Sequence, residues 1–155
     1  MTKDILSREF ELLKRDLIAS YDAKGMRASG NWADQLEVYT DENRAILFGE
    51  DYTQQLETGR KAGKFPPLKM IEQWVEDKGI LNNLQGNISK SSLVFLIARK
   101  IAREGWNRER FGGVDLISEI VTEERLQKII EEVGEAKLIE FTAEIIFLIK
   151  ELNEV

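Results

Sequence analysis

Apolar residues recur at intervals of three and four along most of this chain, and only one short stretch alternates instead. Those two periods restrict the fold to a helical body carrying one small antiparallel element. Leu6, Phe10, Leu13, Leu17 and Tyr21 make the first stripe, with Arg8, Glu11, Lys14 and Arg15 outside it. They predict a helix over 4–24, stopped by Gly25. The period then falls to two: Leu36, Val38 and Thr40 alternate with Glu37 and Tyr39. Asp41-Glu42-Asn43 reads as a three-residue connection and Arg44 to Gly49 as the returning strand, so the pattern predicts a β-hairpin.

Tyr52 to Thr58 fits either a short helix or a third extended piece. The following Gly59-Arg60-Lys61-Ala62-Gly63-Lys64-Phe65-Pro66-Pro67 packs two glycines and two prolines into one segment, which reads as a loop. Pro67 suits the first turn of a helix with Leu68, Ile71, Trp74 and Val75 as its stripe, closed by Lys78 and Gly79. Asn82 to Asn87 is a polar loop. Ser89 or Ser91 caps the next helix, which runs to about Glu104 and ends at Gly105. Leu93, Ile97 and Ile101 set its period, and its first half is apolar nearly all round, so it is expected to be the most buried element. Trp106 to Gly113 reads as a charged connector, and from Val114 the chain is helical again. Thr122-Glu123-Glu124-Arg125 is an imperfect capping box, with Arg where Glu or Gln would reach back. Leu126, Ile129, Ile130 and Val133, then Leu138, Phe141, Ile145, Leu148 and Leu152, make a last stripe that Gly134 divides into two helices. The expected fold is a predominantly helical α+β single domain over 1–155. Its hairpin-based sheet packs on the first helix and on the 89–104 helix, and 111–155 forms an acidic helical C-terminal extension.

The chain is 155 residues long and 43% hydrophobic, enough for one core. It contains neither Cys nor His. Their absence removes disulfides, thiolate nucleophiles, histidine triads, Cys/His zinc sites and haem ligation. Gly63-Lys64 is followed by Phe65 rather than Ser or Thr, so the loop is not a Walker loop. Glu131 with Glu135 and Glu140 with Glu144 lie at helical spacing but read as a solvated acidic face rather than a metal site. Trp32, Trp74 and Trp106 read as core or interface. No enzyme activity, cofactor, metal or small-molecule substrate is expected. The first residues lack a signal-peptide pattern, and the longest apolar runs, 93–98 and 145–149, fall far short of the roughly 20 residues of a bilayer span. Neither secretion nor membrane association is expected.

Charge is unevenly spread. Residues 1–58 carry 7 basic and 12 acidic side chains, 59–110 carry 11 and 5, and 111–155 carry 4 and 11, summing to the net −6. A basic middle between acidic ends suits head-to-side association of copies. Two clusters stand out within the basic middle. The 59–64 loop reads as a mobile basic arm, with Arg60, Lys61, Lys64 and Phe65 as candidate subunit contacts. Arg99, Lys100, Arg103 and Arg110, interleaved with Trp106 and Phe111, make a candidate patch for sequence-independent DNA contact. Cations at the end of a helix also serve simply to complement its dipole.

One long stretch has an order of motifs beyond generic pattern. Tyr52-Thr-Gln-Gln-Leu56-Glu57-Thr-Gly59-Arg60 leads to Gly63-Lys64-Phe65-Pro66-Pro67, then Ile71-Glu-Gln-Trp74 through Lys78-Gly79-Ile80, then Leu96-Ile-Ala98-Arg99-Lys100-Ile-Ala102-Arg103-Glu-Gly105-Trp106. Arg27-Ala-Ser29-Gly30-Asn31 precedes it as a small-residue turn. This resembles the tail-completion (head–tail joining, or neck) proteins of tailed bacteriophages, in the form found among phages of Bacteroidetes-type hosts, including crAss-like ones. The likeness covers roughly residues 5–110, which would form the shared core. It departs at Phe65-Pro66-Pro67, where many members have Pro, Phe, Leu and Arg, and in its long acidic C-terminal helical region. The resemblance implies a virion protein, made in the host cytoplasm. It would assemble with itself as a ring oligomer between portal or adaptor and tail proteins, with packaged DNA passing through non-specifically. A small DNA-associated accessory protein using the basic patch is the alternative.

Overall fold

The computed structural model describes residues 1–108 and 113–153. In chain order the elements are α1 (Thr2–Ala23), α2 (Asn31–Asp34), β1 (Glu37–Thr40), β2 (Ala45–Phe48), α3 (Thr53–Thr58), α4 (Leu68–Asp77), a 3₁₀ turn (Ile80–Asn83), α5 (Lys90–Glu104) and α6 (Glu123–Asn153). The expected class holds: the molecule is 61% helical, with one two-stranded antiparallel sheet.

α1 ends as its sequence demands. Gly25 takes a left-handed φ of 62°, the Gly25 N–H donates to Asp22 O and the Met26 N–H reaches back to Tyr21 O. This double closure lets Met26 turn inward beside Tyr21 in the core. Around them gather Leu17, Trp32, Ala33, Leu36, Leu56 and Leu116. Trp32 is fully buried, brought in by α2, a one-turn helix that periodicity is too coarse to detect. Its indole N–H donates to Thr53 Oγ1 at 2.9 Å, and that hydroxyl donates to Glu50 O.

The hairpin pairs Val38 with Leu47 and Thr40 with Ala45. Its connection is Asp41–Arg44, one residue longer than expected. Asp41 N–H donates to Arg44 O, and the Asp41 carboxylate accepts from Asn43 N–H and pairs with Arg44. The sheet packs on α1; α5 instead packs on α4, so the expected contact of the sheet with α5 is not among the principal packings. Of the two readings of 52–58, the helix is the one adopted.

α4 and α5 form an antiparallel lobe beyond the end of α1. Ser89 is the N-cap of α5, accepting from Ser92 N–H at 3.2 Å. The expectation that α5 is the most buried element fails. Only Val94 and Ala98 on it are buried, while Phe95 and Leu96 are exposed. Among the helices its principal partner is α4.

Residues 114–121 form turns rather than helix, and α6 begins at Glu123. Thr122 caps it by accepting from Arg125 N–H, and the Arg125 side chain, unable to reach back, pairs with Asp16 of α1 at 2.9 Å. α6 then runs antiparallel along α1: Arg8 pairs with Glu132, and Thr2 donates to Glu140. Gly134 does not divide it. A helical glycine costs about 1 kcal/mol relative to Ala, which the flanking helix formers and the α1 contacts outweigh, so 31 residues form one helix.

Candidate functional site

The 59–64 loop is docked rather than a free arm. Arg60 and Trp106 exchange both backbone hydrogen bonds at 2.7 Å, and Gly63 N–H donates to Ala102 O in the last turn of α5. The approach is close enough to require two glycines. A Cβ on Gly59 would lie 2.3 Å from Trp106 O, and one on Gly105 2.3 Å from Arg60 O. The Arg60 guanidinium folds back to donate to Lys64 O at 3.0 Å, so this residue closes the loop internally.

Docking has a consequence for charge. Lys61 and Lys64 project into solvent from a loop fixed to the end of α5, the helix that bears exposed Arg99, Lys100 and Arg103. The two predicted basic clusters are therefore parts of one surface. Phe65 joins it, its ring 5.8 Å from that of Phe95. Lys100 has a weak carboxylate partner in Glu104 at 3.9 Å. Arg110 and Phe111 lie outside the described residues.

Other cations of the basic middle serve the fold. Lys78 Nζ donates to Gly25 O at 2.7 Å, and the Arg108 guanidinium donates to Lys24 O at 2.5 Å. Both thus neutralise the carbonyl end of α1. Burial, reinforced by Arg108, lowers the Lys78 pKa, and burial likewise lowers that of Arg108. Lys90 bridges Glu72 and Glu76 at 2.9 and 2.7 Å, and these hydrogen bonds raise its pKa. Between the end of α1 and the lobe lies an open cleft of ≈ 1350 Å³, lined in part by Tyr21, Tyr52, Trp74, Lys78 and Trp106. The carboxylates considered as pairs are engaged singly: Glu131 accepts from Gln127, and Glu140 from Thr2 and Lys137. Among the described residues, none group so as to hold a metal ion.

A long run of exposed apolar side chains lies on the last stripe. The first residue of α1, Thr2, lies opposite Glu140, and α6 continues past it; every described side chain from Phe141 to Leu152 is exposed. Phe141 is 61% exposed, Phe147 60% and Leu152 78%. The signal for this was present. Ile139, Ile146 and Ile149 lie off the Leu138–Leu152 stripe, so the helix end is apolar all round, more than one neighbour within the chain could cover. Contiguous apolar surface of this kind marks a site of association.

Comparison with protein-family models, with curated proteins and with solved structures finds no match for this chain.

Among the described residues no helix is long and apolar enough to cross a membrane.

Proposed function

We propose that this protein is a structural component of a bacteriophage head–tail connector, joining a ring between portal or adaptor and tail. The reading is supported by the ordered resemblance along residues 5–110 and by the unequal ends of the molecule. The observation that carries it is the bare apolar end of α6, at the opposite end of α1 from the basic α4–α5 lobe. A subunit of a closed ring needs two unlike, complementary surfaces, and these are two such surfaces. Electron microscopy of the purified protein tests the reading: closed symmetric rings are expected, and open or irregular assemblies, or a monomer that ignores purified portal–adaptor complexes, contradict it. Arg60 is a poor target for weakening assembly because it closes its own loop. Lys61→Glu with Lys64→Glu changes the surface alone, and is expected to weaken assembly.

The alternative, a DNA-associated accessory protein, gains from the merging of Lys61 and Lys64 with Arg99, Lys100 and Arg103. It predicts duplex binding that falls steeply as salt rises. No binding at low salt removes it.

A further inference from the structure

We infer that the free end of α6 docks on the exposed face of α5 in a second copy of the chain, antiparallel and head to tail. The inference rests on the assembly reading above only in taking a second copy as the occupant.

The exposed apolar residues of α5 and those at the end of α6 lie at opposite ends of the described structure. The lobe is tied to the C-terminal end of α1 through Lys78 and Arg108. The free end of α6 begins where α1 starts, at Thr2. α1 has 22 residues, so about 33 Å of helix separates the two surfaces within one molecule. They meet only between copies, and because they differ, the contact repeats from copy to copy.

Charge selects this pairing over a symmetric one. Residues 138–152 carry Glu140, Glu144 and Glu151 against Lys150 alone, so two free ends facing one another repel. The lobe surface has the opposite sign. On α5, exposed Phe95 and Leu96 are followed one and two turns later by exposed Arg99, Lys100 and Arg103. On α6 the order is reversed: Glu144 comes before Ile145 to Ile149. Laid antiparallel, apolar meets apolar while Glu144 faces the arginines. Phe147 and Leu148 lie on the Glu144 side of α6 and are both exposed, so they are the side chains that meet Phe95 and Leu96 in this register.

The cysteine-free chain allows a clean test. Phe95→Cys and Leu148→Cys are introduced on separate copies, mixed and mildly oxidised. The expected product is a disulfide-linked pair at twice the 17.8 kDa chain mass. The doubly substituted chain should give a ladder. Linkage of Leu148→Cys copies only to one another overturns the inference, as does a chain that stays monomeric at every concentration. Arg99→Glu with Arg103→Glu, and separately Glu144→Lys, should each weaken self-association about tenfold or more. All three changes in one chain should restore it, and no restoration overturns the charge register. Rings lacking the 95–148 link defeat this contact and leave the connector reading standing. The link formed in open filaments upholds the contact and defeats the ring.

Discussion

Gly59 and Gly105 face each other across the Arg60–Trp106 bridge, with φ of 72° and 76° and ψ near −160°. That region of backbone space is open essentially to glycine alone, and a Cβ would also strike a carbonyl oxygen. Gly59→Ala and Gly105→Ala should each cost at least about 2 kcal/mol, read from the urea midpoint; an unchanged midpoint would mean that the loop is not docked as described. Glu57 shows how a residue of no obvious pattern holds two segments together. Its carboxylate accepts from the N–H groups of Ile117 and Ser118, and its carbonyl from Asp115 N–H. Burial opposes ionisation, but the hydrogen bonds from Ser118 and Ile117 outweigh it and hold the pKa below the ordinary glutamate value. A lowered folded pKa stabilises above the unfolded value of about 4.3, and that contribution is lost as pH falls through the folded value. Glu57→Gln should therefore flatten the acid side of the stability profile measured by denaturation between pH 3 and 7; an unaltered slope contradicts the assignment. Nothing in the sequence singles out Glu57, because its partners lie 60 residues away and are backbone groups.

At the scale of elements, periodicity located the main helices and the hairpin because each stripe is long enough to show its period. It failed where an element is a single turn, as in α2. It also failed where burial depends on the neighbour rather than on the element. The first half of α5 is apolar nearly all round, yet Phe95 and Leu96 stay exposed, and the side chains of α6 from Phe141 to Leu152 are exposed throughout. A hydrophobic pattern says that a surface needs cover, not that the same chain supplies it. Within α6, Gly134 is exposed and a Cβ there meets nothing within 4 Å. Gly134→Ala is expected to stabilise by about 0.5–1 kcal/mol, detectable as a raised denaturation midpoint; a lowered midpoint would place a neighbour there. Removal of residues 141–155 should leave the melting temperature within a few degrees, since no described side chain from Phe141 to Leu152 is buried. Ile129→Asp, by contrast, puts an unpaired charge into the α1–α6 seam, where Ile129 is 6% exposed, and should unfold a large fraction of the protein.

At the scale of the molecule, the segmental charges already implied opposite surfaces, but not how they are divided. Lys78, Lys90 and Arg108 serve the fold, whereas Lys61, Lys64, Arg99, Lys100 and Arg103 face solvent on one lobe. The candidate site was thus half legible. The basic residues were visible as two clusters, and their merging depended on a backbone bridge that no motif announces. The apolar half was visible only as a stripe on an acidic helical extension, with nothing to say that it would be left uncovered. The proposed assembly joins the two halves between copies, and its most direct test is sedimentation velocity of the full chain beside a chain ending at residue 140, over a range of concentration and salt. The full chain should form larger species as concentration rises, fewer of them as salt weakens the Glu–Arg contacts, while the shortened chain stays monomeric. A full chain that remains monomeric throughout, or a shortened chain that assembles equally well, would contradict it.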